Sequence, residues 1–143
     1  MSAPSAAPAY VEFGVQSNFS LLRGASNPEE LVVAACALGH AGMGLADRNT
    51  VAGVVRAWSQ SKHIKLPEAP APASLPYHPG CRLAFADGTP DMLAYPQDRK
   101  GWGHLCRLLT QANLREESEK GAPRVLFDDL LEWGENMSLA VLP

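Results

Sequence analysis

The sequence predicts an α/β domain in which mostly parallel strands alternate with helices. Three observations carry that expectation. Two apolar runs of strand length, YVEFGVQ at Tyr10–Gln16 and GMGLADRNT at Gly42–Thr50, are each followed by a helical stripe, the order of a parallel βαβ unit. The first helix is sharply punctuated at both ends, by SNPEEL before it and Gly39 after it. The composition is globular, with 46% hydrophobic and 19% charged residues over 143 positions, the size of one domain or a piece of a larger one.

The elements follow in order. MSAPSAAPAY is rich in Ala, Ser and Pro, without the basic and apolar regions of a secretory signal, so residues 1–9 are expected to be a flexible leader. Tyr10–Gln16 is the first strand. Asn27 suits an N-cap and Pro28 the first helical position, while Glu29 and Glu30 favour the positive end of the helix dipole. Leu31, Ala34, Ala35 and Leu38 then fall at i, i+3, i+4 and i+7 before the Gly39 stop. Gly42–Thr50 reads as a buried strand ending in a polar loop. A second helix carries Val51, Val54, Val55 and Trp58 on one face.

LPEAPAPASLPYHPG, residues 66–80, holds Pro67, Pro70, Pro72, Pro76 and Pro79 and is expected to be an irregular exposed loop. CRLAF and DMLAYP flank the Asp87-Gly88 turn signal and read as a hairpin. A third helix from Asp98 to Asn113 has Trp102, Leu105, Cys106 and Leu109 on one stripe. REESEKG is a surface loop, FDDLLEW a short helix and MSLAVLP a further apolar strand, stopping where a parallel sheet would need its next helix. In such folds functional side chains gather at the C-terminal strand ends, here Gly14–Asn18 and Asp47–Thr50.

Charge and cysteine usage narrow the function classes. With 12 Lys and Arg against 15 Asp and Glu, the net charge is −3 and no basic stripe appears, so the chain is not expected to grip nucleic acid alone. No run is long enough for a membrane-spanning helix. Cys36, Cys81 and Cys106 are odd in number and sit on apolar stripes, the pattern of reduced core thiols. His40, His63, His78 and His104 are not at ligand spacing; His40 follows Gly39 and suits a helix C-cap. No Walker loop, GxGxxG or Ser-His-Asp order is present. Trp58, Trp102 and Trp133 lie at helix-face spacing, more often packing than a base-stacking platform.

Taken together and in order, SNFSLLRGAS, ADRNTVAGVVRAW, YPQDRKGWGHLCRLLTQAN and the later FDDL segment resemble the N-terminal PHP (polymerase and histidinol phosphatase) domain of bacterial C-family DNA polymerases. Within that family they look most like the error-prone α-subunit-like polymerases of damage-induced mutagenesis. The resemblance implies the first part of a distorted (β/α)7 barrel over residues 10–143, with the polymerase body outside the chain.

It also implies where metal ligands would stand. The family's H-x-H-S stretch reads here Gly14-Val15-Gln16-Ser17, and Asn18 stands where replicative relatives often carry an acidic or His ligand. T-D-H reads Ala46-Asp47-Arg48, and the Glu of a G-C-E-like stretch is Arg82. Divalent metals want imidazole or carboxylate donors. Gly has no side chain, Gln is a weak ligand, and a guanidinium is a permanent cation. The expectation is a degenerate site lined by Gly14, Gln16, Asn18, Asp47, Arg48 and Arg82, with no catalytic residue and no metal. Arg48 and Arg82 could face a phosphate together; the more ordinary reading pairs them with Asp47 or Glu12. A lone Asp47 at a strand end more often orders a loop than acts as a base.

Function follows from the resemblance as a set of expectations. The chain reads as a structural and interaction module of a translesion DNA polymerase; the alternative is a metal-dependent phosphoesterase or 3′–5′ exonuclease. Mg²⁺ would serve only the polymerase body. The expected partners are the rest of the polymerase chain, other mutasome or replisome proteins, and copies of this chain pairing through open sheet edges. The expected compartment is the bacterial cytoplasm.

Overall fold

A computed structural model of the chain describes residues 8–68, 71 and 73–143. The leader expected at residues 1–9 lies outside the described residues for positions 1–7, as do Pro70 and Pro72 of the Pro-rich loop. The elements are β1 (Val11–Val15), α1 (Pro28–Ala37), β2 (Gly42–Arg48), α2 (Val54–Lys62), β3 (Tyr77–Leu83), β4 (Met92–Pro96), α3 (Arg99–Leu114), α4 (Phe127–Trp133) and β5 (Met137–Val141).

The five strands form one sheet in the order β1-β2-β3-β4-β5, chain order, as successive strands of a barrel require. β1, β2 and β3 pair in parallel, and β4 is antiparallel to both β3 and β5. Four of the five strands therefore point the same way, and the exception is the second arm of the expected β3–β4 hairpin. All four helices cover one face. α1 and α2 bury Val32, Ala35, Val54 and Ala57 against Met43 and Leu45. α3 and α4 bury Leu105, Leu108, Leu109 and Leu130 against Cys81, Leu83, Ala94 and Met137.

Helix ends follow their sequence signals. Glu30 Oε2 accepts the Asn27 N–H at 2.9 Å. Gly39, at φ +75°, closes α1: its N–H donates to the Cys36 carbonyl at 3.0 Å, and His40 N–H donates to Ala35 at 3.0 Å. That pair of bonds is a Schellman motif, so His40 caps through its backbone. Asp98 Oδ1 accepts the Gly101 N–H at 2.7 Å and starts α3.

Several expectations need correction. In α1 the buried stripe is Pro28, Val32 and Ala35, while Leu38 is exposed. PEELVVAACA is apolar nearly all round, so periodicity could not select the face. In α2 the buried residues are Val54, Ala57 and Ser61; Val55 and Trp58 face solvent, and the Lys62 amine sits over the Trp58 ring at 3.4 Å. Small residues let that helix lie close to its neighbours. In α3, Leu108 and Ala112 join Leu105 and Leu109, and Cys106 is only half-buried.

The 66–80 segment is not wholly irregular. Ile64 and Ala73 exchange two backbone hydrogen bonds of 2.8 Å, Leu75 is buried, and Tyr77–Gly80 belong to β3. Pro79 is tolerated in that strand because the ladder to β4 begins only at Cys81.

Candidate functional site

The strand ladders bring the sequence-selected positions to one end of the sheet. Gly14 lies in β1, with Gln16 and Asn18 just beyond it. Asp47 and Arg48 close β2, and Arg48 pairs in register with Arg82 of β3. Side-chain alternation then separates them. Asp47 shares the helix-covered face with Met43 and Leu45, whereas Arg48 and Arg82 share the opposite face.

Asp47 is 1% exposed and orders the loop that follows β1. Its Oδ1 accepts the Ser17 N–H and the Ser20 hydroxyl, and its Oδ2 accepts the Ser17 hydroxyl, each at 2.7 Å. The Ser20 oxygen in turn accepts the Arg48 N–H at 3.0 Å. Three short bonds to one buried carboxylate make it a tie between β2 and the 17–20 turn.

On the open face, Tyr95 occupies the middle of the sheet. Its hydroxyl accepts the Gly14 N–H at 2.8 Å and donates to the Gly44 carbonyl at 3.0 Å, joining β1, β2 and β4. The ring lies so close to the backbone that a Cβ on Gly44 would sit 2.9 Å from it, and one on Gly80 closer still. Phe13 packs edge-on to Tyr95 at 5.1 Å and tilted on His78 at 5.6 Å. Burial pushes the Tyr95 phenol up to about 12, so it stays a hydrogen-bonding hydroxyl. Gly14 itself has φ +76°, a conformation an imidazole-bearing residue would hold only under strain.

Neither arginine pairs with Asp47 or Glu12 among the described residues, contrary to the ordinary reading. Arg82 Nε donates to Asp91 Oδ2 at 2.8 Å, across the hairpin. Glu12 instead accepts from the Tyr10 hydroxyl. Arg48 is exposed and opens with Arg23 onto a cavity of about 430 Å³ beyond the ends of β2 and β3. Gln16 is half-buried and in no side-chain hydrogen bond among the described residues. Asn18 donates to Asn27 Oδ1 at 2.9 Å, while its own Oδ1 is buried without a partner.

The donor chemistry does not fit a divalent cation: Gly14 has no side chain, and Arg48 and Arg82 are cations on the face where ligands would converge. Among the described residues no three of His, Cys, Asp and Glu come together in a geometry for a metal. The histidines lie apart. His40 packs edge-on to Tyr10 at 5.0 Å, and His104 Nδ1 lies 3.0 Å from the Glu135 carbonyl oxygen. Cys81 is fully buried, with its thiol pushed up to about 12 by that burial and its Sγ 3.3 Å from the Asp47 carbonyl oxygen.

Tyr95 and Arg23 escaped the sequence reading, and Asn49 was marked only as part of the Asp47–Thr50 strand end. Asn49, at φ +52°, clamps both backbone polar groups of Ala84, its Nδ2 donating at 3.0 Å and its Oδ1 accepting at 2.8 Å. An Asn just past a strand is a signal for that conformation. Tyr95 was read only as a strand residue within the YPQDRKGWGHLCRLLTQAN resemblance, and Arg23 only as part of the SNFSLLRGAS resemblance. No local spacing marks either.

The family model described as the PHP domain matches residues 12–141. The chain belongs to the PHP domain family. This PHP domain is 69% identical over 134 residues to the error-prone DNA polymerase of Mesorhizobium japonicum, a match covering 94% of the chain and 11% of that relative. It is 51% identical over 138 residues to error-prone DNA polymerase 1 of Rhizobium meliloti, covering 96% of the chain and 11% of the relative. The chain thus spans about 11% of the length of these curated relatives.

Among solved structures, one from Bifidobacterium adolescentis, named provisionally a metal-dependent phosphoesterase, aligns with a TM-score of 0.55 at 25% identity. That alignment covers 73% of this chain and 33% of that one. An amidohydrolase from Chromobacterium violaceum shares the fold at a TM-score of 0.52 and 21% identity, over 75% of this chain and 34% of its own.

Proposed function

We propose that this PHP domain is a non-catalytic structural and interaction module of an error-prone, translesion DNA polymerase. One observation carries the reading: the positions where a metal-dependent PHP site needs donors hold a glycine and two cations, and the nearby carboxylate, Asp47, is consumed by Ser17 and Ser20. Elemental analysis of the purified, dialysed protein should find no stoichiometric Zn, Mn or Fe. Phosphatase and 3′–5′ exonuclease assays with Mn²⁺ or Zn²⁺ should stay at background. Metal-dependent turnover above background in the wild-type protein that disappears in folded Asp47→Asn protein would overturn the proposal.

The second reading, a metal-dependent phosphoesterase, is favoured by the likeness to the Bifidobacterium structure, and the same assays separate the two. In the parent polymerase, Mg²⁺-dependent nucleotidyl transfer belongs to the body, in the cytoplasm, during damage-induced repair synthesis. Consistent with a role inside a long chain, β1 and β5 are sheet edges, and Phe13, Leu139 and Val141 are exposed beside them. The rest of the polymerase is the partner for those edges, with other replisome proteins beyond it. Without that partner the edges favour self-association, which light scattering across a concentration series would detect.

A further inference from the structure

The cavity of about 430 Å³ beyond β2 and β3 is not explained by a structural module alone. Arg48 reaches it from the end of β2 and Arg23 from the loop that Asp47 pins in place. Both side chains are exposed, and among the described residues neither forms an ion pair with any carboxylate. Among the described residues no Asp or Glu lines the cavity. In a chain of net charge −3, two uncompensated guanidinium groups sharing one acid-free concavity are a local departure from the surface around them.

The other polar side chains there are largely spoken for. The Ser20 hydroxyl donates to Asp47, Asn49 clamps Ala84, and Asn113 Nδ2 donates to the Leu109 carbonyl at 2.7 Å. What remains to meet a ligand is the pair of arginine forks and the Thr50 hydroxyl, whose oxygen accepts the Ala52 N–H and whose proton has no acceptor among the described residues. Guanidinium forks with a hydroxyl donor suit an anion with several oxygens spread in three dimensions, which is a phosphate group.

We propose that Arg23 and Arg48 form a binding site for a small phosphate anion, inorganic or carried by a free nucleotide. The pair differs from the one the strand register suggests, because Arg82 is held by Asp91. A nucleic-acid backbone is the less suitable source: such partners are tracked by a basic stripe, whereas this charge is confined to one concavity on an acidic chain. The proposal needs no catalysis and stands apart from the reading of the domain as non-catalytic.

The test follows arginine side-chain N–H signals and binding heat as inorganic phosphate, then pyrophosphate, is titrated into the protein. Saturable binding is expected, tighter for pyrophosphate, with the Arg23 and Arg48 signals moving. Arg23→Ala and Arg48→Ala should each weaken pyrophosphate binding about tenfold, the effect of one lost charge-assisted hydrogen bond. Arg48→Lys should fall between. Arg107→Ala removes the same charge from a different surface, beside Trp133, and should leave affinity unchanged. Absence of saturable binding, or an equal loss in all three alanine variants, would overturn the proposal. So would a single-stranded oligonucleotide lacking terminal phosphates that displaces pyrophosphate at lower concentration. Backbone amide spectra confirm that each variant is folded, which the exposure of both arginines leads us to expect.

Discussion

Asp47→Ala should be among the most damaging single substitutions in the chain, and the structure supplies the magnitude. The carboxylate is buried and accepts three hydrogen bonds of 2.7 Å from Ser17 and Ser20. A bond to a charged group contributes about 1.5–3 kcal/mol, and stranding a buried donor adds a desolvation penalty. The bonds share one acceptor and are not additive. A loss of about 3–5 kcal/mol is therefore expected, similar to breaking other buried charged networks. That is a large part of the roughly 5–15 kcal/mol of a typical domain. Asp47→Asn should lose only about 1–2 kcal/mol. Its carbonyl can still accept from Ser17 N–H and the Ser20 hydroxyl, and its amide can donate to the Ser17 oxygen. Urea unfolding followed by circular dichroism and extrapolated to water measures both. An Asp47→Ala protein within about 1 kcal/mol of wild type, or an Asn variant as damaged as the Ala one, would refute the reasoning.

Other perturbations test other parts of the fold. Burial raises the Cys81 thiol from 9.0 to about 12, so the folded state holds that proton more tightly than the unfolded chain. Its contribution is complete below about pH 9 and is lost as pH rises toward about 12; Cys81→Ala should flatten the decline by at most about 1.4 kcal/mol per pH unit, read from urea midpoints. Gly80→Ala would drive a methyl into the Tyr95 ring and should destabilise by about 1–3 kcal/mol in the same assay. Asp129 is buried, forks with Arg115 and accepts the Leu126 N–H at 2.8 Å, so Asp129→Ala should lower stability by about 3–5 kcal/mol and shift the thermal midpoint accordingly.

Where local chemistry decides, the sequence was readable. FDDLLEW became α4 with the expected bounds, Gly39 ended α1, and the CRLAF–DMLAYP pair formed its hairpin. Where an element is apolar on several sides, as in PEELVVAACA, only tertiary packing selects the buried face. The Pro-rich segment misled for a related reason. Pro79 forbids a ladder bond only where a neighbour asks for one, and β4 does not reach that far along β3. At the site, residue identities gave the donor chemistry but not the partners. The Arg82–Asp91 pair lies across the hairpin, since Arg82 faces Leu93 and Leu83 faces Met92. Cross-strand geometry could have suggested it, whereas pairing with Asp47 was excluded by alternation along β2.

The positions where the resemblance implies metal ligands have other structural uses here, and those uses explain one another. At Gly14 the backbone N–H is bound by the Tyr95 hydroxyl, and that ring can lie there only because Gly44 and Gly80 have no side chains. Arg82 is drawn along the hairpin to Asp91, which removes it from the mouth of the sheet. Asp47 turns toward the helices, where it fixes the 17–20 loop and through it the position from which Arg23 projects. Of the two arginines in the set, Arg48 is the one with no counter-charge among the described residues. Arg48 is thereby left with Arg23 at a concavity whose described lining holds no carboxylate, the electrostatic opposite of what a divalent cation requires.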